Sequence, residues 1–213
     1  MSIINGSLFT DIEKFHKPEH NANTAAIVID EKDKKWASET VENSLTRKQS
    51  QQETLRFCKQ LGCKIIVVHE HRESYPRHIY GVIGNPDWSC IKHSLGVIDG
   101  RTSRPLMPYL KKEAITSLVL MGGSYALCIQ ASLIGICSYG MRHSGILNHQ
   151  ITVLSSPSLL APYHPGIYSL SPEFSPSARS FNNENADFNY FNRPSWPVFT
   201  LHPGMRLYTK IYP

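Results

Sequence analysis

The sequence contains no Cys-x-x-Cys pair, and its five cysteines (Cys58, Cys63, Cys90, Cys128 and Cys137) make an odd number. That usage argues against both a disulfide framework and a zinc knuckle, and it fits a reducing compartment. Long apolar runs are also missing. The longest, Tyr125 to Tyr139, is broken by Gln130, Ser132, Gly135 and Ser138, too short and too interrupted to span a bilayer. The first ten residues lack a basic start followed by an apolar stretch, so no cleavable signal peptide is expected. A soluble, cytoplasmic protein without membrane association is the expectation. The net charge is +5, yet no block of Lys and Arg forms. A nucleic-acid footprint needs such clustering, so no nucleic-acid partner is expected.

What is present is an ordinary core composition, 41% hydrophobic against 18% charged, in a chain long enough for one α/β domain with some excess. Met1 to Asn23 is polar and reads as an arm lying over the domain. TAAIVID, Thr24 to Asp30, is a short continuous apolar run of the kind buried on both faces of a parallel sheet. A helix is expected from Ser44 to Leu61, closed by Gly62. KIIVVHE, Lys64 to Glu70, is a second strand, and Asp87 to Ile91, running into Lys92, a short third. Pro105 to Ala114 reads as a helix with proline in its first turn. SLVLMG, Ser117 to Gly122, is a fourth strand, Tyr125 to Tyr139 a buried helix ending at Gly140, and QITVLS, Gln150 to Ser155, a fifth strand.

Strands alternating with helices at this spacing predict right-handed βαβ units. The expected fold is a three-layer α-β-α sandwich around a mainly parallel, doubly wound sheet of five to six strands. The domain spans 24–156. Residues 157–213, rich in Ser, Pro, Asn and aromatics, read as an irregular extension packed on it.

Ligands of such sheets sit outside the carboxyl ends of the strands. That rule singles out Asp30, Lys92 and the turn after Gly122. Asp30 ends an apolar strand, which places its carboxylate at that edge. Taken alone it is as well explained as a turn or helix cap. Cys128 falls near the start of the helix after the fourth strand, where free N–H groups and the helix dipole favour thiolate. Cys137, nine residues on, is the plainer case of a buried structural thiol. Lys92 follows the third strand, where a solvated lysine would be unremarkable. All three fall on one edge of one sheet.

With those residues in place, the sequence resembles the isochorismatase-like cysteine hydrolases, which include nicotinamidases and N-carbamoyl amidohydrolases. SLVLMGGSYALCIQASLIGICSYG looks like the signature in which an apolar strand ends in Gly and the nucleophilic Cys follows six residues later, here Gly122 and Cys128. TAAIVID resembles the first strand with its terminal Asp, and CIKHSLGVIDGRTSRPLMPYLKK the segment that carries the Lys. The resemblance covers roughly 24–156. It implies an Asp30, Lys92 and Cys128 triad, an oxyanion hole at the backbone N–H groups of Ser124 and Cys128, and a cis peptide between Gly123 and Ser124. It further implies hydrolysis of a small amide, carbamoyl or related C–N bond through a Cys thiolate and an acyl-enzyme, on a small-molecule substrate, in a homo-oligomer. Members commonly carry Gln where Lys32 stands, and Thr and Asp where Tyr125 and Ala126 stand. Two alternatives remain open: an isochorismate-type vinyl ether hydrolase, and a catalytically idle member that binds a protein.

Nicotinamidases bind a metal through an Asp and two His after the second strand. His69, Glu70, His71 and His78 fall in that region but lack the Asp-x-His spacing, so neither metal nor cofactor is expected. Trp36, Trp88 and Tyr125 are the candidate substrate contacts near the triad.

Overall fold

The computed structural model describes residues 6–36, 39–70, 75–93, 96–98, 102–123, 128–138, 141–149, 151–161 and 210–211. Four apolar segments make the centre of the sheet: β1 (Asn23–Ile29), β2 (Lys64–Glu70), β3 (Trp88–Lys92) and β4 (Ile115–Gly122). β7 (Thr152–Ser155) and the two-residue β8 (Lys210–Ile211) extend it, in the order β3-β2-β1-β4-β7-β8. Every neighbouring pair is parallel. The architecture is the expected doubly wound α/β sheet.

Because β1 and β4 are buried on both faces, every residue from Thr24 to Ile29 is inside, which is why these strands carry no polar alternation. One core lies on the face shared by Ala25, Ile27, Ile29, Ile66, Val68, Trp88 and Cys90, covered by Leu106, Leu110, Ile129 and Leu133. The opposite core joins Ala26, Val28, Val67, Val119 and Met121 to Leu8, Ile12, Leu55, Cys58, Ile79 and Ile83. α1 (Gly6–Phe15), α2 (Val41–Gln60) and α3 (Arg77–Ile83) supply that second layer, and α4 (Leu106–Lys112) with α5 (Gln130–Ile134) the first. Among the described residues no helix is long and apolar enough to cross a membrane.

The chain lays down β1, β2 and β3 to one side, then returns to place β4 on the other side of β1. Such a reversal opens a crevice at the carboxyl ends of the two strands where the direction switches. Here those ends are Asp30 and Gly122.

Several expectations are corrected. The polar N-terminal arm contains a helix, α1, whose Leu8 and Ile12 are fully buried against the sheet; apolar residues at i and i+4 share a helix face even in a polar stretch. The long helix over Tyr125–Tyr139 stops at Ile134. Gly135–Ser138 (β5) instead pairs antiparallel with Met141–Ser144 (β6). Gly135, poor in a helix interior, followed by the β-branched Ile136, favours that switch. α2 begins at Val41, where the Thr40 hydroxyl accepts from the N–H of Asn43 at 3.1 Å. At its other end Gly62 takes φ 80°, the left-handed conformation that stops a helix.

Candidate active site

β1 ends in a local reversal. Along an extended strand side chains alternate between faces, so Asp30 would share the face of Ala26 and Val28. Lys92 follows Trp88 and Cys90 on the other face of the sheet. Asp30 has φ 49°, a left-handed conformation that Asp tolerates better than most residues, while its N–H still donates to Val68 O at 2.9 Å. The strand thus ends at Asp30, and its carboxylate lies 2.7 Å from the Lys92 ammonium.

Lys92 is the last residue of β3, opposite Glu70 in register and bridged to Thr102. It is fully buried. Its ammonium also donates to Cys128 Sγ at 3.4 Å. Cys128 lies two residues before α5 and is 7% exposed; its carbonyl accepts from the Ser132 hydroxyl at 2.6 Å. Carboxylate, ammonium and sulfur, residues 30, 92 and 128 of the chain, therefore form one buried cluster at the crevice.

Burial dominates its electrostatics. Among the described residues no backbone N–H or hydroxyl donates to either Asp30 oxygen, so the Lys92 ammonium is the main offset to desolvation. Desolvation wins, and the carboxyl is pushed from 3.8 up to about 6, with Lys92 and Cys128 pulling down and Glu70 pushing up. Burial pushes the Cys128 thiol up to about 12, helped by the Asp30 charge and opposed by Lys92. Burial would lower Lys92, but Asp30 and the sulfur outweigh it and hold the ammonium above its ordinary value. At neutral pH the resting site is thus carboxylate, ammonium and thiol. A helix start favours thiolate, whereas burial works the other way on this sulfur.

Two glycines shape the crevice. Gly122 has φ 115°, and a Cβ there would stand 2.0 Å from Ile29 O. Gly123 donates its N–H to Ile29 O at 2.9 Å, and a Cβ there would fall 2.5 Å from Trp36 Cζ2. β4 and β1 can approach this closely at their ends only without side chains on β4.

Trp36 is therefore at the rim of the crevice. Trp88 is not. It lies four residues before Lys92 on β3, about 13 Å along the strand, stacked on Tyr109 with ring centroids 5.6 Å apart. Its position in the same stripe as Lys92 was legible, but strand length carries it to the far end. Ser124 and Tyr125 lie outside the described residues, and with them the expected cis peptide and half of the oxyanion hole. His71 does too. His69 Nε2 contacts the Tyr80 hydroxyl at 2.8 Å and His78 Nε2 the Gln51 carbonyl at 3.1 Å. These histidines point to separate partners, and the described residues hold no cluster of three or more metal-ligating side chains.

No family model matches the chain, and no curated protein matches it. Solved structures do. A nicotinamidase from Staphylococcus aureus is similar over 65% of this chain and 82% of its own, at 14% identity and a TM-score of 0.49. An isochorismatase-like hydrolase from Alkaliphilus metalliredigens covers 67% of this chain and 83% of its own, at 18% identity and a TM-score of 0.43. The MAR1 ribonuclease from Caenorhabditis elegans covers 66% of each, at 13% identity and a TM-score of 0.47.

One part of the site escaped sequence reading. Glu31, directly after Asp30, and Glu39 are both held by Arg47 of α2. The guanidinium pairs with Glu31 and grips Glu39 through Nε (2.5 Å) and Nη2 (3.0 Å). Gln51 donates to Glu31 at 2.7 Å and to Leu159 O at 2.9 Å. Burial would raise Glu39, but Arg47 holds it below the ordinary carboxylate range. Glu39 in turn accepts the N–H of Trp36 at 3.1 Å. The only signal for this was a stripe of polar residues, Ser44, Arg47, Gln51 and Thr54, at helical spacing along α2. All are buried.

Proposed function

We propose that the protein is a cysteine hydrolase of the isochorismatase-like superfamily that cleaves a small amide, carbamoyl or related C–N bond. The observation that carries this reading is the buried contact of one ammonium with both a carboxylate, at 2.7 Å, and a thiol, at 3.4 Å. A burial this complete is costly for a structural role alone, and strongly perturbed groups gathered in a crevice are the mark of a reactive site.

In the mechanism Asp30 is the general base. Its carboxylate accepts the Cys128 proton as the sulfur attacks the substrate carbonyl carbon, and Lys92 stabilises the charge passing between them. With the thiol near 12 and the carboxyl near 6, the proton moves together with C–S bond formation rather than before it. The tetrahedral oxyanion is received by the backbone N–H groups of Ser124 and Cys128. Collapse breaks the C–N bond, and the leaving nitrogen takes the proton from Asp30. Water then attacks the thioester, gives its proton to Asp30, and releases the acid and the thiol.

A second reading, a catalytically idle module, draws on the same thiol, which behaves at rest as an ordinary protonated core cysteine. Turnover separates the two. In a screen of amides, carbamoyl compounds and isochorismate, the wild-type chain hydrolyses one class. Cys128→Ala loses about 10³-fold or more of that activity while its far-ultraviolet spectrum and melting cooperativity persist. Wild-type turnover in that variant would end the nucleophile assignment.

A further inference from the structure

The rim of the crevice carries two donors side by side. The Trp36 indole N–H is buried and, among the described residues, has no hydrogen-bond partner. A buried donor left unpaired is disfavoured, so one held in place calls for an explanation. Over the face of the same indole stands the Lys32 ammonium, 3.7 Å from the ring centroid.

The nearby acidic groups are already committed. Glu31 takes Arg47, Gln51 and the Lys32 N–H. Asp33 takes the Arg77 N–H at 2.6 Å and the Arg77 guanidinium at 3.6 Å, with the His78 ring 3.7 Å away. Glu39 is filled by Arg47 and the Trp36 N–H. Among the described residues no acidic side chain pairs with the Lys32 ammonium.

The indole also borders the site. The indole edge at Cε2 and Cζ2, beside the N–H, packs on Gly123, where a Cβ would fall 2.5–2.8 Å away. Gly123 is bonded to Ile29 O, one residue before Asp30. The Arg47 clamp fixes the backbone of Trp36, so neither donor depends on a free loop for its position.

We propose that the Lys32 ammonium and the Trp36 indole N–H form an anion subsite at the crevice rim, which receives the carboxylate of a small amide substrate. The proposal rests on the hydrolase reading for the word substrate, but the anion subsite itself does not. An ammonium and an indole N–H are both pure donors, so they suit a group with only acceptors. A charge-assisted hydrogen bond is stronger than a neutral one. A neutral amide of the same length leaves both donors unpaired.

The test compares succinamate with butyramide, which match in length and differ in the carboxylate, on the full chain. The expected result is kcat/KM at least ten-fold higher for succinamate. Lys32→Met lowers that ratio ten- to a hundred-fold, largely through KM, and Trp36→Phe, which keeps a ring but removes the N–H, lowers it less. Equal kcat/KM for the two amides, or a ratio untouched by Lys32→Met, overturns the subsite and leaves the hydrolase reading standing. If neither amide is hydrolysed, titration calorimetry with succinate decides. Binding that Lys32→Met abolishes upholds the subsite while the hydrolase reading falls. No succinate binding at millimolar concentration overturns the subsite.

Discussion

The Asp30 carboxylate meets the Lys92 ammonium at 2.7 Å although strand alternation assigns them to opposite faces of the sheet. The left-handed φ of Asp30 removes the conflict by ending β1 one residue short of the crevice. Backbone strain of this kind, about 1–3 kcal/mol, persists where the surroundings over-determine it. Here the bonds of Asp30 N–H to Val68 and of Gly123 N–H to Ile29 do so.

The protonation states set the pH dependence. The proposed mechanism uses Asp30 as carboxylate, so kcat/KM should rise with pH through about 6 and then stay level to at least pH 9, since thiol and ammonium titrate higher. Alkylation of Cys128 by iodoacetamide should keep rising with pH through 10 instead of reaching an early plateau. A plateau near pH 7 would show that the thiol is ionised at rest.

Asp30 also leaves a signature in stability. Its folded carboxyl lies above its unfolded value of 3.8, at about 6, so the folded state holds its proton more tightly. The stabilisation is complete below pH 3.8 and lost as pH rises through about 6. Asp30→Asn removes this titration. Urea unfolding should show the difference between variant and wild type moving by about 2 kcal/mol in the variant's favour from pH 4 to pH 7. A difference that stays constant with pH would contradict the raised carboxyl.

Gly122 admits no side chain. With φ 115° and Ile29 O at 2.0 Å from any Cβ, Gly122→Ala must push β1 and β4 apart at the crevice. The expected cost is about 3 kcal/mol, read as a lowered urea midpoint, with loss of turnover beyond what the lost stability explains. Gly62→Ala, also at positive φ but with open space around it, should cost about 1 kcal/mol and leave turnover intact.

Arg47 holds two buried carboxylates. Arg47→Met keeps much of the volume but strands Glu31 and Glu39, and breaking a buried pair costs about 3–5 kcal/mol. The loss should shrink as pH falls and the stranded Glu39 carboxylate takes up a proton. Unfolding measured at pH 7.5 and pH 5 checks both the size and the direction.

Much of the fold was legible because its strands are buried on both faces. An unbroken run such as Ala25–Ile29 or Ile65–Val68 has no other stable home than a covered parallel sheet. Sequence also located Asp30, Lys92 and Cys128, since a rule about strand ends needs only the ends of strands. It failed at α1, whose apolar residues are few, and at Tyr125–Tyr139, where a helical period and an antiparallel strand look alike over a short stretch.

What sequence determined alone was the layered architecture and the edge of the sheet where chemistry could occur, because periodicity and burial are properties of local segments. What only the tertiary structure decided was the reversal at Asp30, the sealing of the Cys128 thiol and the grip of Arg47 on the loop beside them. Each of these depends on which distant groups exclude water from a charge. Desolvation is set by the whole surroundings of an atom, and no single segment contains them.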